Sequence, residues 1–106
     1  MAFDVTAEII DDDVRIILKG ELDAAVAGLF KDTIEQAASQ KPKRLVLFMD
    51  HLDFMASAGL RMLIFAKQKM GTDVSIHVIG SKGPVRNTLE MSGFHLSVYM
   101  QDSFTG

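Results

Sequence analysis

Residues 45–70 read LVLFMDHLDFMASAGLRMLIFAKQKM, and this stretch decides the fold. Leu45, Val46, Leu47, Phe48 and Met49 form a near-continuous apolar run, as expected of a strand covered on both faces in a parallel sheet. A short connector bearing Asp50, His51 and Asp53 follows. Leu60, Leu63, Ala66 and Met70 then recur at spacings of three and four, and Gly71 stands where helices favour a left-handed cap. The unit is a strand, a turn and a helix. Ser57 stands at its hinge, in the position of an N-cap, so its hydroxyl is expected to meet the free N–H groups of a first turn containing Ala58 and Gly59.

Three readings of that hydroxyl are open. It can be a structural N-cap and nothing more. It can be a nucleophile on an elbow like Gly-x-Ser-x-Gly, but Met55 occupies the place of the first Gly and the chain is far shorter than that hydrolase fold requires. It can accept a phosphate, bringing about −1.5 to −2 charges to a helix N-terminus whose free N–H groups and dipole favour an anion.

The flanking sequence extends the same architecture in both directions. Phe3, Val5, Ala7 and Ile9 alternate with polar residues, Asp11-Asp12-Asp13 reads as a turn, and Val14, Ile16 and Leu18 form the antiparallel neighbour of a hairpin. Asp23 is placed as the N-cap of an Ala-rich helix over 24–39, stopped at Lys41-Pro42-Lys43. Val74, Ile76, Val78 and Ile79 read as a fourth strand, Gly80 to Pro84 as a turn into a third helix ended by Gly93, and Val98-Tyr99 as a short last strand.

The fold class is therefore α/β: one domain over 1–106, a mixed sheet with an N-terminal antiparallel hairpin and parallel βα crossovers, helices mainly on one side. Right-handed crossovers bring the strand ends near residues 20, 50 and 80 to one edge, so Asp23, Ser57 and the Ser81-Lys82 turn are expected to converge there. On the helix after Ser57, the spacing of Arg61, Phe65 and Lys69 places them on one face away from the core, where Phe65 is either an aromatic contact residue or a side chain that folds over the helix edge.

With these elements placed, the chain resembles the STAS domain, the fold of bacterial anti-sigma-factor antagonists. Leu45 to Leu60, with Asp53-Phe54-Met55 leading into Ser57-Ala58-Gly59-Leu60, is similar to that family's signature. Gly20-Glu21-Leu22-Asp23 matches its Gly-Glu-Leu-Asp before the first helix, and Pro84-Val85-Arg86 through Leu89, Gly93 and Phe94 is similar to its C-terminal helix and turn. The resemblance implies a partner-switching regulator of transcription. Its partner would be an anti-sigma factor that is also a serine kinase, bound while Ser57 is unphosphorylated and released once Ser57 is phosphorylated, with a PP2C-type phosphatase as a further partner. The expected partner-binding residues are Asp23, Met55, Ala56, Ala58, Gly59, Arg61, Phe65, Ser81 and Lys82. The family commonly has Asp before the phosphorylated Ser and Ser or Thr after it, where this chain has Ala56 and Ala58, and Phe48 fills a strand position that is often Asp or Asn. The alternative is a constitutive STAS subunit of a transporter or other assembly, without phosphorylation.

Composition narrows the field further. The 106 residues are 48% hydrophobic and 24% charged with net charge −3, ordinary globular values with no basic stripe for nucleic acid. Without cysteine there is no disulfide, thiolate metal site or thiol catalysis. No apolar stretch approaches the ~20 residues of a membrane span, and the N-terminus lacks a signal-peptide pattern, so a cytoplasmic protein is expected. His51, His77 and His95 have no metal spacing, and no Gly-rich loop resembles a Walker or dinucleotide motif. The expectation is a binding protein with no cofactor and no catalytic machinery of its own.

Overall fold

The hairpin alternation of the first twenty residues becomes two strands, β1 (Asp4–Ile10) and β2 (Asp13–Leu22), paired antiparallel without a register shift. They belong to a computed structural model that describes residues 2–104. The remaining elements are α1 (Ala27–Ser39), β3 (Arg44–Met55), α2 (Ser57–Met70), β4 (Ser75–Ile79), α3 (Gly83–Ser92), a 3₁₀ turn (Phe94–Ser97) and β5 (Tyr99–Gln101). The five strands lie in sequence order, and β2 to β5 are all parallel, as three successive crossovers demand.

All three helices cover one face. Val14, Ile16, Leu18 and Leu22 of β2, Leu45, Leu47, Met49, Leu52 and Met55 of β3, and Ile76 and Val78 of β4 form a single buried cluster. Phe30, Ile34 and Ala37 of α1, Leu63 and Ala66 of α2, and Val85 and Leu89 of α3 close it from above. The spacing along β3 is informative. Its core residues step by two at 45, 47 and 49, then by three at 52 and 55. The register shows why: Ile17 pairs with Phe48 but Lys19 with His51, and Gly20 pairs with Leu52 but Glu21 with Phe54, so β3 carries an extra residue at each of two bulges. Residues 50–55 are therefore strand, where a tight connector was expected.

The acidic run also divides differently. Only Asp11 and Asp12 turn, Asp11 in the left-handed region (φ 54), while Asp13 starts β2 and is buried. Arg44 at the start of β3 donates to both its carboxylate oxygens, from Nε at 2.7 Å and Nη2 at 2.6 Å, a fork that ties the two strand starts together. The Asp13 hydrogen bond in turn raises the Arg44 pKa above its ordinary value.

The helix-free face has its own cover. Phe104 lies against it with the Arg15 and Arg44 guanidinium groups each 5.1 Å from its ring centroid, edge-on to Phe48 at 6.0 Å and angled to His77 at 6.2 Å. His77 stacks on Tyr99 and joins Ser75 Oγ at 3.1 Å to Gln101 Oε1 at 2.9 Å through its two ring nitrogens, which fastens β5 to β4. Among the described residues no group of three His, Cys, Asp or Glu could hold a metal, and no helix is long and apolar enough to cross a membrane.

Candidate functional site

The site begins where β2 and β3 outrun the rest of the sheet. Leu22 and Met55 are paired and buried, and the ladder continues one step further, Ala56 N–H donating to Leu22 O at 2.9 Å. Asp23 and Ser57 thus leave the sheet from neighbouring, hydrogen-bonded positions. Further back on β2, Gly20 makes room for the start of the chain: its φ is +87, and a Cβ there would lie 2.1 Å from the Ala2 carbonyl oxygen.

Asp23 Oδ1 accepts from Ala25 N at 3.0 Å and Val26 N at 3.3 Å, organising the turn over 24–26. Regular helix starts only at Ala27 with Val26 as its N-cap, so Asp23 caps the turn and not the helix predicted from residue 24. Ser57 shows a related shift. Ala56 is the N-cap of α2, extended at φ −78 and ψ 167, and no side chain caps the helix. The hydrogen bond to Leu22 O holds Ala56 in the strand conformation, so Ser57 becomes the first helical residue instead of the expected cap. It is exposed, and its hydroxyl is not spent on the helix terminus.

Two residues further on, Gly59 is buried against β2. A Cβ at this position would stand 2.7 Å from Leu22 Cγ and 3.2 Å from Leu22 O, so only glycine lets α2 settle so closely. The expected contact surface accordingly loses members. Met55 and Gly59 are interior, and Ala56 and Ala58 are half-buried. Ser81 is buried, and with the exposed Lys82 it lies elsewhere, because β4 pairs with β3 only as far as Phe48 while β2 follows β3 seven residues further to Met55. Gly80 sits against Asp50, where a Cβ would fall 1.9 Å from Oδ1. Asp23 and Ser57 are brought together; the Ser81-Lys82 turn is not.

Of the two roles open to Phe65, packing and not partner contact is the one the structure gives it. It is half-buried, packs on the core, and carries Lys31 Nζ of α1 at 5.3 Å over its ring. The solvent stripe of α2 is instead Ser57, Arg61, Ile64 and Gln68, at helical spacing, with Ile64 42% exposed and Phe54 of β3 43% exposed. Neither apolar residue stood out in the sequence, because Ile64 and Phe65 are adjacent and only the packing of α1 says which one is covered. Phe65→Ala is expected to lower stability by about 1–2 kcal/mol, against a few tenths for Ile64→Ala, measured by paired thermal melts; equal losses would contradict this placement.

A surface concavity of about 580 Å³ lies at the other end of the sheet, lined by Lys41, Lys43, Lys69 and Asp73 among apolar residues. The C-terminal ends of α1 and α2 border it, and their dipoles oppose an anion.

Comparison with known proteins agrees with this geometry. The STAS domain family model matches residues 4–105. The anti-sigma-F factor antagonist RsfB of Mycobacterium tuberculosis is 25% identical over 96% of this chain and 88% of its own. A crystal structure of an anti-sigma factor antagonist from Mycobacterium paratuberculosis superposes with a TM-score of 0.90 at 19% identity, covering 97% of this chain and 88% of that one. SpoIIAA of Bacillus, solved in unphosphorylated and phosphorylated forms, gives TM-scores of 0.73 and 0.72 at 20% and 21% identity, over 97% and 98% of this chain and 90% and 93% of those. The family model spans nearly the whole chain and the superpositions show the same fold, and the chain belongs to the STAS domain family.

Proposed function

We propose that this STAS domain is an anti-sigma-factor antagonist that binds an anti-sigma factor through the Ser57 end of the sheet and is released by phosphorylation of Ser57. The observation that carries the reading is the exposed, uncapped hydroxyl on the first residue of α2, beside the Asp23 turn. Its N–H neighbours in the first turn have no partner within the helix, so a phosphate there meets backbone donors and the positive end of the dipole without unfolding anything. Acidic residues already stand near it, Glu21 and Asp53 close to the ends of β2 and β3 and Asp23 just after β2. Added charge must be desolvated on docking and repels acidic groups of a partner. RsfB is named an antagonist of this class and SpoIIAA exists in both phosphorylation states, which supports the assignment.

The partner would be a kinase as well as an anti-sigma factor, and a PP2C-type phosphatase would restore the binding form. Incubation with the cognate kinase and ATP, followed by mass spectrometric mapping, is expected to find phosphate on Ser57 and none on a Ser57→Ala variant. Ser81 is a poor acceptor because it is buried. Modification centred on Ser81 or Thr88, or equal modification of Ser57→Ala, would refute the proposal.

A further inference from the structure

The two edges of the sheet are finished differently. β5 is a three-residue edge, short enough to resist pairing with another chain. β1 is not protected in this way: seven residues pair with β2 along one side, with no Pro, no Lys and no bulge, and the outer row of main-chain N–H and C=O groups faces solvent. Ile9, 60% exposed, lies on this strand.

We propose that β1 pairs with β1 of a second copy of this chain, antiparallel about a two-fold axis, to make one continuous ten-stranded sheet. An axis perpendicular to the sheet keeps the helix-bearing faces together, so residues of the same face oppose one another. Val5, Ala7 and Ile9 share the face of Leu18, Ile16 and Val14, whereas Asp4, Thr6, Glu8 and Ile10 share the other.

Among the registers that pair at least five residues of β1, those centred on Thr6, Ala7 and Glu8, charge selects one. Centring the axis on Thr6 sets Asp4 against Glu8, and centring it on Glu8 sets that carboxylate against its own copy; both oppose like charges. Centring it on Ala7 sets Asp4 opposite Ile10, Thr6 opposite Glu8, and Val5 opposite Ile9, with no charges opposed. This register covers Ile9 with Val5 twice per dimer. Within its own chain Glu8 stands opposite Arg15 of β2. A second copy therefore fits this edge both chemically and geometrically.

The register makes Thr6 a two-way reporter, because each Thr6 stands opposite Glu8 of the second copy. Sedimentation velocity of the full chain from about 10 µM to about 1 mM brackets the weak association expected of a single strand pair. The wild-type chain is expected to dimerise with rising concentration. Thr6→Lys should tighten the dimer about fivefold and Thr6→Glu should weaken it about fivefold, since each change acts at two cross-strand pairs. Asn87→Lys and Asn87→Glu, on the exposed surface of α3, make the same net-charge changes away from the edge and should shift the equilibrium far less. Thermal melts confirm that each variant is folded. A chain monomeric throughout the range, Thr6 variants that move in the same direction, or Asn87 variants with effects equal to those at Thr6 would each overturn the proposal.

Discussion

Gly59→Val is expected to lower stability by about 3 kcal/mol, near 15 °C in melting temperature for a domain of this size. Glycine inside a helix ordinarily costs ~1 kcal/mol relative to alanine, so a substitution that added a side chain should stabilise if space allowed it. Space does not allow it. The new Cβ would lie 2.7 Å from Leu22 Cγ, and Leu22 is fully buried in the close-packed core. Leu22 O at 3.2 Å blocks a sideways shift, and it already receives the Ala56 N–H. The helix must lift, which separates Ser57 from Asp23 and strains the Ala56 bond. Gly28→Ala is the internal control: this helical glycine is exposed with no atom within 4 Å of a new Cβ, so the same chemistry should gain up to ~1 kcal/mol. Melts in which both variants gain stability would show that α2 does not rest on β2 as tightly as described.

Phosphorylation of Ser57 is expected to weaken partner binding by at least ~100-fold, or about 2.7 kcal/mol. The phosphate brings close to two negative charges onto an exposed first-turn residue near Asp23, Glu21 and Asp53. Arg61, one turn along the same stripe, can partly neutralise it within the chain, which withdraws that guanidinium from any partner carboxylate. Ser57→Asp should reproduce the loss only in part, since one carboxylate carries less charge and fewer acceptors. Ser57→Ala should bind like the wild type and ignore the kinase. Calorimetric titration of the partner with the four forms measures each case. Identical affinity of the phosphorylated and unphosphorylated chains would favour a constitutive STAS subunit over a switch.

Much of the fold is legible in the residues themselves. The alternation of Val14, Ile16 and Leu18, the apolar run at 45–49 and the helical spacing of Leu60, Leu63 and Ala66 each state a period that packing then respects. The errors arise where one local pattern has two solutions. Asp50, His51 and Asp53 look like turn chemistry, yet two bulges let β3 absorb them on its outer side while Leu52 and Met55 keep reaching the core. Asp13 looks like the third member of an acidic turn until Arg44, 31 residues away, supplies its partner. Ser57 has the composition of an N-cap, but a tertiary hydrogen bond to Leu22 moves the cap to Ala56. Phe104 gave no signal, because nothing local announces an aromatic that will lie between two arginines from different strands.

The unequal lengths of the strands have a consequence for local opening. Leu45 to Phe48 are flanked by β2 on one side and β4 on the other, whereas Leu52 to Met55 have only β2. In native-state hydrogen exchange, the amides of the inner segment should report the global unfolding free energy, while those of the outer ribbon and the first turn of α2 should exchange through a smaller, earlier opening. Under the proposed function, Ser57 then sits on a part of the chain that opens at lower cost than the inner sheet, so a kinase would draw it into an extended conformation while the rest of the sheet stays closed.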